Sequence, residues 1–214
     1  MELESEVKKT SEKVEVLDIE QERITHSIWL ERNSFRIALI STFTALAIVL
    51  GYLLAYIPNI ELFTLMIFLS GFILGKRDGM MIGLLSSFIF CYFNPFGSSP
   101  LPLLAFQLFH YSITGFLGAL TNDLLQRKKS FKPSEDLYKF SIMALLGIIG
   151  ALITANFQIF SSIIYVLSFL GSLNEFLPYF LTGSIFTAIH IIGNTLGFIF
   201  ILPGLIQLIR KMLF

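Results

Sequence analysis

Residues 79–122 read GMMIGLLSSFIFCYFNPFGSSPLPLLAFQLFHYSITGFLGALTN, 44 consecutive positions without Asp, Glu, Lys or Arg. A helix rises about 1.5 Å per residue, so about 20 residues cross the roughly 30 Å hydrocarbon core of a bilayer. The run is long enough for two crossings. Its middle holds Asn94-Pro95-Phe96-Gly97-Ser98-Ser99-Pro100, a dense cluster of turn-forming residues. The stretch therefore predicts a membrane hairpin, with helices over about 79–93 and 102–124.

Working outward, residues 37–60, 62–75, 140–174 and 176–209 are also free of charge. The first gives a helix from Ile37 to Ile57, ended by Pro58. The second spans from Ile60 to Gly75 if Glu61 sits at the headgroups. Run 140–174 reads as one long, tilted helix and the last as a helix over about 180–208. The expected fold is an all-α integral membrane protein, a six-helix transmembrane bundle with cytoplasmic N- and C-termini. The whole chain is 55% hydrophobic and 14% charged, whereas soluble domains carry about 25% charged residues. Disorder and nucleic-acid binding are excluded on this composition. A disulfide scaffold is excluded too, because Cys91 has no partner.

Lys and Arg favour the cytoplasmic side of membrane proteins. With the N-terminus inside, all 15 Lys/Arg fall in 1–36, 76–77, 125–139 and 210–211, and the three outer loops have none. A seventh helix would put Arg210 and Lys211 outside, so parity favours six. Residues 1–35 form a separate charged cytoplasmic extension, with nine of the 15 acids and five of the 15 Lys/Arg. The six-helix domain occupies 36–211. Val14, Leu17, Ile24 and Ile28 fall at the spacing of a short amphipathic helix, and Trp29 is placed as an interfacial anchor. The extension lacks the apolar core of a secretory signal.

No enzyme chemistry emerges, and no cofactor is expected. Gly71-Phe72-Ile73-Leu74-Gly75-Lys76 is one residue short of a phosphate loop, and Arg77 stands in place of its Ser/Thr. Ser184 and His190, six apart on one helix, are separated by about 240°. His110 and His190 lack the third ligand that a metal site needs.

Polar groups within membrane helices are costly and face the bundle interior or a cavity. Three such faces stand out. Gln107, His110, Tyr111 and Thr114 line one helix, and Thr154, Gln158, Ser161, Ser162 and Tyr165 the next. Gly183, Thr187, His190, Asn194 and Gly197 line the last. Isolated hydroxyls serve as interhelical hydrogen bonds. The larger groups carry more donors and acceptors than packing needs, which predicts a polar pocket nearer the outer surface. Glu61 and Glu175 sit at the outer helix ends, where they could close it.

Six helices in about 180 residues, without an ATPase, resemble the substrate-binding S component of energy-coupling-factor (ECF) vitamin transporters. Pro58-Asn59-Ile60-Glu61 looks like the first outer loop of that family. Gly71 to Gly75 followed by Gly79 is similar to the link between its second and third helices. Asn94-Pro95-Phe96-Gly97 resembles its third loop, and His190-Ile191-Ile192-Gly193-Asn194 its last helix. The resemblance covers residues 36–211. It implies capture of a vitamin-like small molecule from outside, and the candidate binding residues are Glu61, Asn94, Gln107, His110, Tyr111, Gln158, Glu175, His190 and Asn194. It also implies a transmembrane T component and two cytoplasmic ATPase subunits as partners.

The small-residue pattern that would meet the T component appears as Ala38-x-x-x-Thr42 and Ser41-x-x-x-Ala45. Small residues one turn apart let helices approach closely in lipid. Ala47, Gly51 and Ala55 continue that ridge outward, where it can serve a partner or packing within the protein's own bundle. Two other classes stay open: a multi-helix membrane scaffold, whose polar faces would be spent in packing, and a self-sufficient transporter. The latter lacks a mid-membrane acid for ion coupling, since Asp78 and Asp123 lie at cytoplasmic ends.

Overall fold

The computed structural model describes residues 32–127 and 136–213. The amphipathic segment over 14–28, Trp29 and most of the 125–139 loop lie outside the described residues. The described chain is helical, with no strand. The helices are α1 (Asn33–Leu54), α2 (Phe63–Leu74), α3 (Lys76–Tyr92), α4 (Leu101–Gln126) and α5 (Phe140–Tyr165). A short α6 (Phe176–Thr182) is followed by α7 (Ser184–Leu196) and α8 (Leu202–Leu213). A π turn, Val166–Leu170, extends α5, and a second, Gly197–Ile201, joins α7 to α8.

Four helical stretches are long and apolar enough to cross a membrane: Asn33–Leu54, Leu101–Gln126, Phe140–Leu170 and Ser184–Leu213. The expected fifth helix is present and continues through the π turn to Leu170. The last helix begins at Ser184, because the chain breaks at Gly183 after the separate α6. Its 12 residues make α2 about 18 Å long, short of a bilayer core. It is instead the centre of the molecule, with every residue from Phe63 to Ile73 buried. A helix that is apolar all round belongs inside a larger assembly, and α1, α3, α4 and α8 surround it.

Glycine makes that enclosure possible. A Cβ on Gly79 would lie 2.5 Å from Gly71 Cα and 2.8 Å from the Gly115 carbonyl oxygen. Cβ atoms on Gly71 and Gly118 would collide with the Gly115 and Phe68 carbonyls. The backbones of α2, α3 and α4 therefore touch directly. Gly75 separates α2 from α3 by one residue at φ +94°, a conformation open to glycine at little cost. The wide end of the wedge is filled by aromatic rings. Phe63 stacks on Phe90 at 4.7 Å and meets Tyr111 edge-on at 4.9 Å.

The Lys/Arg-bearing end is tied by polar contacts. Arg36 of α1 pairs with the buried Asp78 of α3. Lys76 Nζ lies 2.7 Å from Asp123 of α4, and Arg210 donates to Asn122 Oδ1 at 3.0 Å. Of the small residues continuing along α1, Ala47 and Gly51 face the bundle and are buried, so they serve the packing alternative. Gly51 seats the edge of Phe90, where a Cβ would lie at 2.9 Å. Ala38, Ser41, Thr42 and Ala45 lie on the exposed side of α1.

Gly115→Ala is expected to lower the midpoint of thermal unfolding in detergent by at least about 2 °C, because overpacking costs ~1–3 kcal/mol. Gly183→Ala, whose Cβ would have nothing nearer than 3.8 Å, should melt like the parent. Equal melting of the two variants would show that the three backbones do not touch.

Candidate functional site

The first helix ends at Leu54, short of the expected Ile57 and before Pro58, and Asn59 adopts a left-handed conformation at φ +59°, which asparagine tolerates better than most residues. That turn brings Glu61 back over the N-terminus of α2. Its Oε2 accepts from the Thr64 backbone N–H at 3.2 Å, and its Oε1 accepts from the Thr64 hydroxyl at 2.5 Å. A carboxylate is favoured there by the unpaired N–H groups and the helix dipole.

The same carboxylate reaches the last helix. His190 Nε2 lies 3.1 Å from Glu61 Oε1, and Asn194 Nδ2 donates to that oxygen at 3.0 Å. His190 and Asn194 are one turn apart on α7 and share a face. Asn194 Nδ2 also donates to Thr154 Oγ1 of α5 at 2.9 Å, and Gln158 Nε2 lies 2.6 Å from His190 Nδ1. Thr154 and Gln158 are likewise one turn apart. Glu61, Gln158, His190 and Asn194 are thereby joined, together with Thr64 and Thr154, into one network across three chain segments.

The network underlies a cavity of about 420 Å³. Gln158 belongs to both. Asn59, Ser162 and Thr187 supply further polar groups, and Tyr179, Phe180 and Phe186 supply aromatic surface. No charged side chain lies among its described lining residues.

The polar face of α4 goes elsewhere. Phe157 separates it from His190, with ring centroids 5.1 Å from His110 and 6.3 Å from His190. His110 and Thr114 border a second cavity of about 550 Å³ between α4 and α5. That space opens beside Phe109 and Leu152, 65% and 64% exposed on the outside of the bundle, so it faces away from the network. Tyr111 is buried against Phe63. Gln107 is half-buried, and its Oε1 has no hydrogen-bond partner among the described residues. Asn94 accepts from the Phe96 backbone N–H at 3.0 Å and shapes its own turn. Glu175 is exposed on the turn before α6, apart from the network.

Thr64, Asn59 and the α6 aromatics were not among the expected site residues. Thr64 had a signal: it follows Glu61 by three residues at a helix start, the spacing at which a side chain and an N-terminal N–H meet. The α6 residues had little, because the run 176–209 is free of charge and Gly183 marks the break only weakly.

No protein family, curated protein or solved structure matches this chain.

Glu61→Ala and His190→Ala should each destabilise the protein in detergent by ~1–3 kcal/mol, since each leaves buried partners unsatisfied. The double variant should cost less than the sum of the two by ~0.5–3 kcal/mol. Strict additivity in chemical unfolding would show that the two side chains do not interact. Glu175→Ala should change stability by no more than about 0.5 kcal/mol.

Proposed function

We propose that this protein is a membrane substrate-capture subunit, an S component of the ECF type, that binds a vitamin or related small molecule from outside for ATP-driven uptake. The observation that carries the reading is the cavity at Gln158, walled by hydroxyls, amides and aromatic rings. Binding sites for small organic molecules combine a mostly apolar concave wall with a few placed polar groups. This cavity lies at the end of the bundle whose loops contain no Lys or Arg. The charged ties through Arg36, Lys76 and Arg210 lie at the other end.

In this reading the chain crosses the bilayer six times, with both termini, the 76–78 turn and the 125–139 loop in the cytoplasm. The short α2 crosses inside the bundle, shielded from lipid by its neighbours. A scaffold role is supported less well, because a packing network would leave no cavity beside its polar side chains. The chain's partners would be a T component and two ATPase subunits. Ala38, Ser41, Thr42 and Ala45 offer the T component an exposed face where a helix can approach closely.

Two outcomes are expected. In a Cys91→Ser background, Ser99→Cys and Ser172→Cys should react with an impermeant maleimide on intact cells, and Arg127→Cys only after permeabilisation. The reverse pattern would overturn the six-crossing topology. Ala38→Trp and Ala45→Trp should abolish co-purification and substrate accumulation with co-expressed T component and ATPases, while ligand affinity in detergent stays within about twofold. Accumulation that persists in both variants would place the partner face elsewhere.

A further inference from the structure

The network beneath the cavity fixes more than position. A carboxylate has no hydrogen to give, so the 3.1 Å contact to Glu61 Oε1 requires that His190 Nε2 carry one. The other ring nitrogen, Nδ1, faces the Gln158 amide nitrogen at 2.6 Å. An amide NH2 only donates. With the Gln158 amide oriented in this way, Nδ1 presents its lone pair to it and Nε2 carries the ring hydrogen. Gln158 has given one N–H to the ring.

What remains is one N–H and the carbonyl oxygen Oε1, which has no protein partner among the described residues although Gln158 lines the cavity. The acceptor-only character of Glu61 thus passes through His190 and sets which atoms Gln158 has left. The rest of the wall limits the ligand further. With no charged side chain among the described lining residues and the Glu61 carboxylate behind them, an anion would be buried without compensation, at high cost. Tyr179, Phe180 and Phe186 suit the face of a flat ring. A volume of about 420 Å³ is at the small end for ligand pockets.

Resting on the capture reading above, we propose that the cavity recognises an uncharged, planar one- or two-ring compound with neighbouring N–H and C=O groups: a cyclic amide, imide or urea. Its C=O accepts from the remaining Gln158 N–H, and its N–H donates to Gln158 Oε1. His190 and Glu61 are positioning residues that hold the amide in the required sense.

The test uses the full chain in detergent and four probes of similar shape: quinazolin-4(3H)-one, its N3-methyl derivative, quinazoline and the N-methylquinolinium cation. Calorimetric titration should show binding of the quinazolinone and at least fivefold weaker binding of each of the other three. Gln158→Met should remove the preference over the N3-methyl compound. Equal affinities, no binding by any probe, tightest binding by the cation, or a preference that survives Gln158→Met would each overturn the proposal.

Nitrogen-15 spectra of the parent protein keep the test independent of that variant's folding. They should show one unprotonated and one protonated His190 ring nitrogen, and a Gln158 side-chain amide that shifts on adding quinazolinone. A doubly protonated ring would mean an inverted Gln158, and the proposal falls. Uptake in cells with the T component and ATPases is scored separately. Lactam binding without uptake would remove the transport reading and leave this inference. Uptake of a ring without an N–H/C=O pair would do the reverse.

Discussion

The direct contact of three glycine backbones, at Gly71, Gly79 and Gly115, sets the terms for everything else in this protein. It lets α2 lie at the centre of the bundle rather than on its rim. A helix only 12 residues long is then acceptable, because protein surrounds it on every side. Its buried N-terminus needs a partner for its unpaired N–H groups, and Glu61 supplies one. The carboxylate needs donors of its own in turn, and it finds them on α7. The route from close helix packing to a polar site is therefore one of successive satisfaction, each buried group requiring the next.

Much of the architecture was legible in the chain. Charge-free runs bounded by Pro58, the Asn94–Pro100 turn and the Lys/Arg clusters mark the helices, because burial in lipid excludes charge and turns need their own residue types. The i, i+4 spacing of Thr154 with Gln158, and of His190 with Asn194, marked two faces that the fold does bring together. The role of α2 was not legible, because an all-round apolar helix suits a membrane span and an enclosed core helix alike. The close approach of Gly71 to Gly115 depends on which helices become neighbours, and no local pattern fixes that.

Periodicity also misdirects in specific ways. The face with His110 has the same spacing as the others, yet the ring of Phe157 stands between it and the network. Helical spacing identifies the residues that share a side and leaves open what lies across from them. Ala47 and Gly51 likewise extend the run of small residues on α1, but they turn toward Phe90 and the core. Only the first turns of α1 keep small residues on the outside.

The π turn at Gly197–Ile201 lies between two anchors of the same helical stretch, Asn194 in the polar network and Arg210 on Asn122 and the Phe72 ring. A π turn takes in one residue more than an α turn, and each residue advances a helix by about 100°. The angle between the two anchors is thus set by the number of residues between them, whatever their side chains. Substitutions in that span are tolerated or not one position at a time. An insertion or deletion of a single residue would instead swing one anchor to the wrong side of the bundle. In this stretch the protein is more sensitive to changes of length than to changes of composition.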